Sequence, residues 1–153
     1  MTTWFTADLH LGHANIIGYC NRPFPDVGAM NDGLVGRWND SVADHDTVWV
    51  LGDVALGQID HTLALVRRLA GHKQLLTGNH DRCWVGNGAK AEEWTRRYAD
   101  AGFETIHQGD VVVTLDGVDD LGPSGLPERE AQPGASRRGR GGCRRPRWRR
   151  RPR

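Results

Sequence analysis

Lysine is nearly absent from this chain of 153 residues, which uses 18 arginines against 2 lysines, and no histidine follows His107. The first scarcity is what GC-rich codons produce. The second confines any imidazole chemistry to the first two-thirds of the chain. Cysteine is scarce too: Cys20, Cys83 and Cys143 are scattered without a Cys-x-x-Cys pair. That spacing excludes a disulfide framework and a zinc knuckle, and the thiols read most simply as reduced. No run of about 18 apolar residues occurs, so no membrane-spanning helix is expected. The chain enters an apolar, strand-like run at residue 3, which leaves no room for a signal peptide and makes the cytoplasm the default compartment. From Pro127 onward Leu, Ile, Val and Phe are all missing, and Arg, Gly, Pro and Ala dominate. A segment of that composition buries too little apolar surface to offset its ordering entropy, so residues 118–153 are expected to form a disordered tail.

Charge divides the chain in the same place. All 19 acidic residues lie at or before Glu130, and residues 137–153 hold ten arginines. The formal net charge of +1 therefore hides an acidic body and a strongly basic end. Two readings of that end stand open. Arg-rich, Gly-rich runs bind nucleic acid through phosphate contacts. A shifted reading frame in a GC-rich gene yields the same composition.

The chemistry-bearing residues cluster behind three short apolar runs. Thr3-Trp4-Phe5-Thr6-Ala7 leads into Asp8-Leu9-His10, Thr47-Val48-Trp49-Val50-Leu51 into Gly52-Asp53, and Lys73-Gln74-Leu75-Leu76-Thr77 into Gly78-Asn79-His80-Asp81. Polar groups at the exits of successive buried strands are where open α/β sheets place their ligand sites. A pair of divalent cations a few Å apart needs a bridging carboxylate with oxygen and imidazole donors on each side. Asp53 suits the bridge. Asp8 and His10, two apart on an extended segment, are expected to point the same way and grip one metal. Asn79 offers the second metal an amide oxygen. His80 is free to protonate a leaving oxygen or to stabilise phosphoryl charge, and Asp81 to hold the His80 ring in the needed tautomer. Taken singly, an Asp at a strand exit more often caps the following turn.

The order Asp-x-His, Gly-Asp, Gly-Asn-His-Asp resembles the calcineurin-like metallophosphoesterase superfamily. The segments DLHLGHANIIGYCNRPF and MNDGLVGRWNDSVADHDTVWVLGDVALG are similar to a small, single-domain bacterial and phage branch. The resemblance covers about residues 1–117. It implies a four-layer α/β/β/α sandwich, two divalent metal ions (Mn, Fe, Zn or Ni) and hydrolysis of phosphomonoesters or phosphodiesters. It also implies a later Gly-His or Ser-His segment and then a Gly-His-x-His segment that complete both metal sites, and this sequence has neither after its third motif, so the domain reads as C-terminally incomplete. The alternative function is a catalytically inactive remnant, or a nucleic-acid-binding protein acting through its Arg-rich tail. The partners expected are a phosphoester substrate and, through that tail, nucleic acid, with no membrane.

Three other features have quieter readings. Asp44-His45-Asp46 looks like a metal cluster but falls in a loop, where a solvated turn is the simpler account. Arg22 either contacts phosphate or braces its loop. Trp4, Trp38 and Trp49 sit on the apolar faces of expected elements and read as core. Helical periodicity marks Ala14 to Tyr19, Ala29 to Val42, Ile59 to Leu69 and Ala89 to Ala101, with further strands at Phe103 to Ile106 and Asp110 to Leu115.

Overall fold

In the computed structural model, residues 1–114 and the two residues 149–150 are described. Strand and helix alternate along the chain: β1 Thr3–Thr6, α1 Ala14–Tyr19, α2 Val27–Ser41, β2 Thr47–Leu51, α3 Ile59–Val66, β3 His72–Leu76, α4 Lys90–Asp100 and β4 Phe103–His107. The strands lie in the order β4-β3-β2-β1, each pair parallel. A two-residue strand, β5 at Arg149–Arg150, runs antiparallel along the outer edge of β1. All four exits of the parallel strands consequently face one end of the sheet, which is what carries the three polar motifs to a common place.

The alternation of burial along β1 and β2 explains why these runs are strands. Trp4, Thr6, Val48 and Val50 are buried, while Phe5 and Trp49 between them are half-buried and Leu51 is exposed. Helix α2 turns Met30, Leu34, Val35 and Trp38 into the core, at the spacing of one helical face. Asp26 starts it, its carboxylate accepting from the Ala29 amide at 2.8 Å. Helix α3 contributes Ile59, Leu63 and Val66. Helix α4 contributes Ala91 and Tyr98, and Tyr98 stacks on Phe103 of β4 with ring centroids 6.2 Å apart.

The α/β class and a parallel sheet flanked by helices agree with the expected phosphoesterase architecture. Among the described residues there is one sheet, not the two of a four-layer sandwich. Residues 110–114 form no strand, against expectation. β-propensity is a preference for packing on a neighbouring strand, and Val112 is 94 % exposed. Trp49 also departs from the reading as core: it is half-buried and stacks on the His107 ring at 5.2 Å. Cys83 is free, as expected, and is buried, whereas Cys20 is disulfide-bonded, against expectation. Sequence spacing carries no information about which thiols folding brings together. The tail over residues 118–153 and its boundary lie outside the described residues, except for β5. Among the described residues no helix is long and apolar enough to cross a membrane.

The Asp44-His45-Asp46 loop divides in two. Asp44 and His45 are exposed, but Asp46 is buried and gathers three donors: the Thr2 amide at 2.6 Å, the Trp4 indole Nε1 at 3.1 Å and the Ala43 amide at 3.1 Å. Burial alone raises its pKa, and these bonds more than offset it, leaving the carboxyl below its ordinary value. Its contribution to stability is therefore present above the unfolded pKa and is lost as pH falls through the lower folded value. Asp46→Ala leaves three donors without their acceptor and is expected to destabilise the chain by roughly 2–3 kcal/mol in urea denaturation at neutral pH. A change under about 0.5 kcal/mol, the scale of an ordinary surface substitution, would show that water replaces the carboxylate.

Candidate metal centre

The loop after β1 does not continue as a strand. Asp8 and His10 both have left-handed backbone, with φ of 55° and 51°, and Asp53 after β2 has φ of 54°. The expected extended segment is thus corrected. The alternation it implied survives, with Leu9 and Leu11 turned into the core and Asp8 and His10 outward, but left-handed turns produce it. Non-glycine residues in this region cost about 1–2 kcal/mol each and persist only where the surroundings hold them.

Those surroundings are two sets of hydrogen bonds. The loops after β1 and β2 are zipped together beyond the strands by His10 N to Asp53 O at 2.9 Å, Leu11 N to Val54 O at 2.9 Å and Leu56 N to Leu11 O at 2.8 Å. Buried Arg22 then donates to the Asp8 carbonyl at 2.8 Å and the Leu9 carbonyl at 2.9 Å. Of its two readings, bracing is what these bonds describe. A guanidinium suits the task because its fork reaches adjacent carbonyls together.

The result is a compact acidic and imidazole group. Ligand atoms of Asp8, His10 and Asp53 all lie within 4.8 Å of one another. His10 Nε2 is 3.8 Å from Asp8 Oδ1 and 3.9 Å from Asp53 Oδ2. Burial lowers the His10 pKa, against the opposing pull of Asp53 and Asp8, which favours the neutral ring that ligates metals. Its Nδ1 is buried with no hydrogen-bond partner. One imidazole and two carboxylates form a mixed nitrogen and oxygen set suited to Mn²⁺, Fe, Zn²⁺ or Ni²⁺. The residues present fit a divalent cation.

The loop after β3 joins this group through Asp53. The His80 amide donates to Asp53 Oδ1 at 3.3 Å, and the His80 ring lies 6.4 Å from that of His10. Asn79 and His80 are both exposed at this end of the sheet. The Asp81 carboxylate points elsewhere: it is fully buried and accepts from the amides of Asp53, Val54 and Gly78 and from the Tyr98 hydroxyl. Burial raises its pKa, the three amides oppose this, and neighbouring Asp53 adds to the rise. Tyr98 gave no signal in the sequence beyond its place on an apolar helix face.

Beside His10 lies the His13 ring, edge-on at 5.8 Å. It borders a pocket of about 270 Å³ shared with Gly12, Ala14, Asn15, Leu56 and Gly57. Gly12 is fixed there by Asn31, whose side-chain oxygen accepts from its amide at 2.9 Å.

The family profile described as calcineurin-like phosphoesterase matches residues 1–143. An uncharacterized protein of Methanocaldococcus jannaschii is 39% identical over 114 residues, covering 73% of this chain and 61% of that protein. The gene 66 proteins of Mycobacterium phages L5 and D29 are 39% and 40% identical over 82 and 83 residues, each match covering 52% of this chain. Those stretches are 39% and 40% of the phage proteins, so the chain spans about two-fifths to three-fifths of these relatives. A crystal structure of a protein of unknown function from Aquifex aeolicus superposes with a TM-score of 0.52 at 25% identity, covering 69% of this chain and 50% of that one.

Proposed function

Because the chain belongs to the calcineurin-like phosphoesterase family, we propose that it hydrolyses phosphomonoesters or phosphodiesters at the sheet end where Asp8, His10 and Asp53 converge. The observation that carries this reading is the approach of those three ligand atoms to within 4.8 Å of one another. Asp8, His10 and Asp53 would hold one divalent cation, and Asp53 with Asn79 a second. When bound, such cations supply Lewis acidity, which acidifies water and neutralises phosphoryl charge. The remaining work falls to side chains. His80, exposed and tied to Asp53 through its amide, delivers a proton to the leaving oxygen. His13 and its pocket seat the group that leaves. The Arg22 brace keeps Asp8 in its left-handed turn, so the ligand set is preorganised before substrate arrives.

The test is hydrolysis of p-nitrophenyl phosphate and bis-p-nitrophenyl phosphate by the purified full chain with Mn²⁺. Release of p-nitrophenolate is expected, abolished by a chelator and restored by excess Mn²⁺. Folded protein that releases none with any of Mn²⁺, Fe²⁺, Zn²⁺ or Ni²⁺ would sink the proposal. Salt-dependent binding of single-stranded DNA by that same inactive protein would then favour the Arg-rich end as the functional element.

A further inference from the structure

We propose that Asp81 is the positioning residue that locks the loops after β2 and β3 to each other, through backbone amides and not through the His80 ring. Its consequence for metal binding rests on the phosphoesterase reading above, while the lock itself does not.

The geometry is specific. One carboxylate oxygen, Oδ2, accepts from the Asp53 amide at 2.9 Å and from the Gly78 amide at 2.9 Å. The other, Oδ1, accepts from the Val54 amide at 3.0 Å and lies 3.4 Å from the Tyr98 hydroxyl. Asp53 and Val54 belong to the loop after β2, and Gly78 to the loop after β3. A single oxygen therefore spans the two. The loops need such a bridge because they pass too close for side chains of their own: a Cβ on Gly52 would stand 2.8 Å from the Gly78 backbone, and a Cβ on Gly78 2.5 Å from Asp53 Oδ1. The three amides converge on a carboxylate that is itself fully buried, and the bond from Val54 is buried with it. A buried N–H left without an acceptor costs on the order of 1–3 kcal/mol. A carboxylate is the side chain that offers acceptors on both oxygens and donates nothing. Asparagine presents an NH₂ where one of those oxygens stood, so at least one amide faces a donor. Asp53 has its backbone amide held by this lock and its carboxylate 3.9 Å from His10 Nε2.

Amide hydrogen exchange on the full chain tests the lock without recourse to catalysis. In the wild type, the amides of Asp53, Val54 and Gly78 are expected to exchange at least about tenfold more slowly than those of the exposed turn residues Asn79 and Arg82. Equal rates would overturn the proposal whatever any variant does. Asp81→Asn is expected to speed exchange at those three amides while Val48 and Leu75 in the strands stay protected. Calorimetric Mn²⁺ affinity should fall about ten- to a hundredfold in the same variant, as for the loss of groups that orient metal ligands. His80→Ala is expected to change neither quantity. If Asp81→Asn keeps both the protection and the Mn²⁺ affinity, and loses only turnover in step with His80→Ala, Asp81 acts through the imidazole and the proposal fails. Because protection and Mn²⁺ affinity are read without substrate, the absence of hydrolysis would count against the function proposed above and leave the lock to be decided separately.

Discussion

Asp53→Asn is expected to lower hydrolysis of bis-p-nitrophenyl phosphate by at least about a hundredfold, equivalent to about 2.7 kcal/mol of transition-state stabilisation. Its carboxylate is shared between two neighbouring loops. One of its oxygens lies 3.9 Å from His10 Nε2, and the other accepts from the His80 amide at 3.3 Å, so it touches the loops after β1 and β3 at once. Asparagine keeps the shape and removes the charge on which cation binding depends. The fold should survive, because the backbone amide of residue 53 still bonds to Asp81 and the substitution removes one of several crowded carboxylates. Steady-state assay beside a thermal melt separates the two effects. Turnover within about threefold of the wild type, with the melt unchanged, would remove Asp53 from the site.

Gly78→Ala should be nearly as damaging for a different reason. Gly78 does not have positive φ, so its backbone tolerates alanine. The obstacle is space: the new methyl would stand 2.5 Å from Asp53 Oδ1, 3.0 Å from Asp53 N and 3.1 Å from Gly52 Cα. The carboxylate or the loop must move. A collision of this kind in a packed site costs about 1–3 kcal/mol, and turning Asp53 away from His10 should reduce kcat/KM at least about tenfold. Gly36→Ala is the matched control. It lies within α2 with nothing within 4 Å of the added methyl, and should stabilise the chain by about 0.5–1 kcal/mol with activity unchanged. If Gly78→Ala behaves as Gly36→Ala does, the close approach of the two loops is not part of the working geometry.

Much of this was readable before folding. Strand β2 and helix α1 fall on their expected residues, and the other expected helices and strands up to His107 lie within about three residues of the observed ones. They do so because each carries a strong period of its own: alternate burial in β1 and β2, a single apolar face in α2 and α3. Of the strand expected at Asp110 to Leu115, residues 110–114 are described and form none, although they have the composition. Asp8, His10 and Asp53 were recognisable as a set because each follows a strand, and parallel strands of one sheet deliver their exits to one end.

What the sequence determined alone is the kind of chemistry: that four strands precede Gln108, that they are joined by helices and so run parallel, and that carboxylate, imidazole and amide donors stand at their common exit. Only the tertiary structure decided how those donors meet. The left-handed turns at Asp8, His10 and Asp53, the Arg22 brace beneath them, the burial of Asp46 and the contacts of Asp81 to Asp53, Val54 and Tyr98 all depend on parts of the chain that are distant in sequence. The physical reason is range. Periodicity and strand exits are local and are written in neighbouring residues. A buried acceptor instead takes whichever donors the packed chain brings within about 3 Å, and that is known only once the loops have come together.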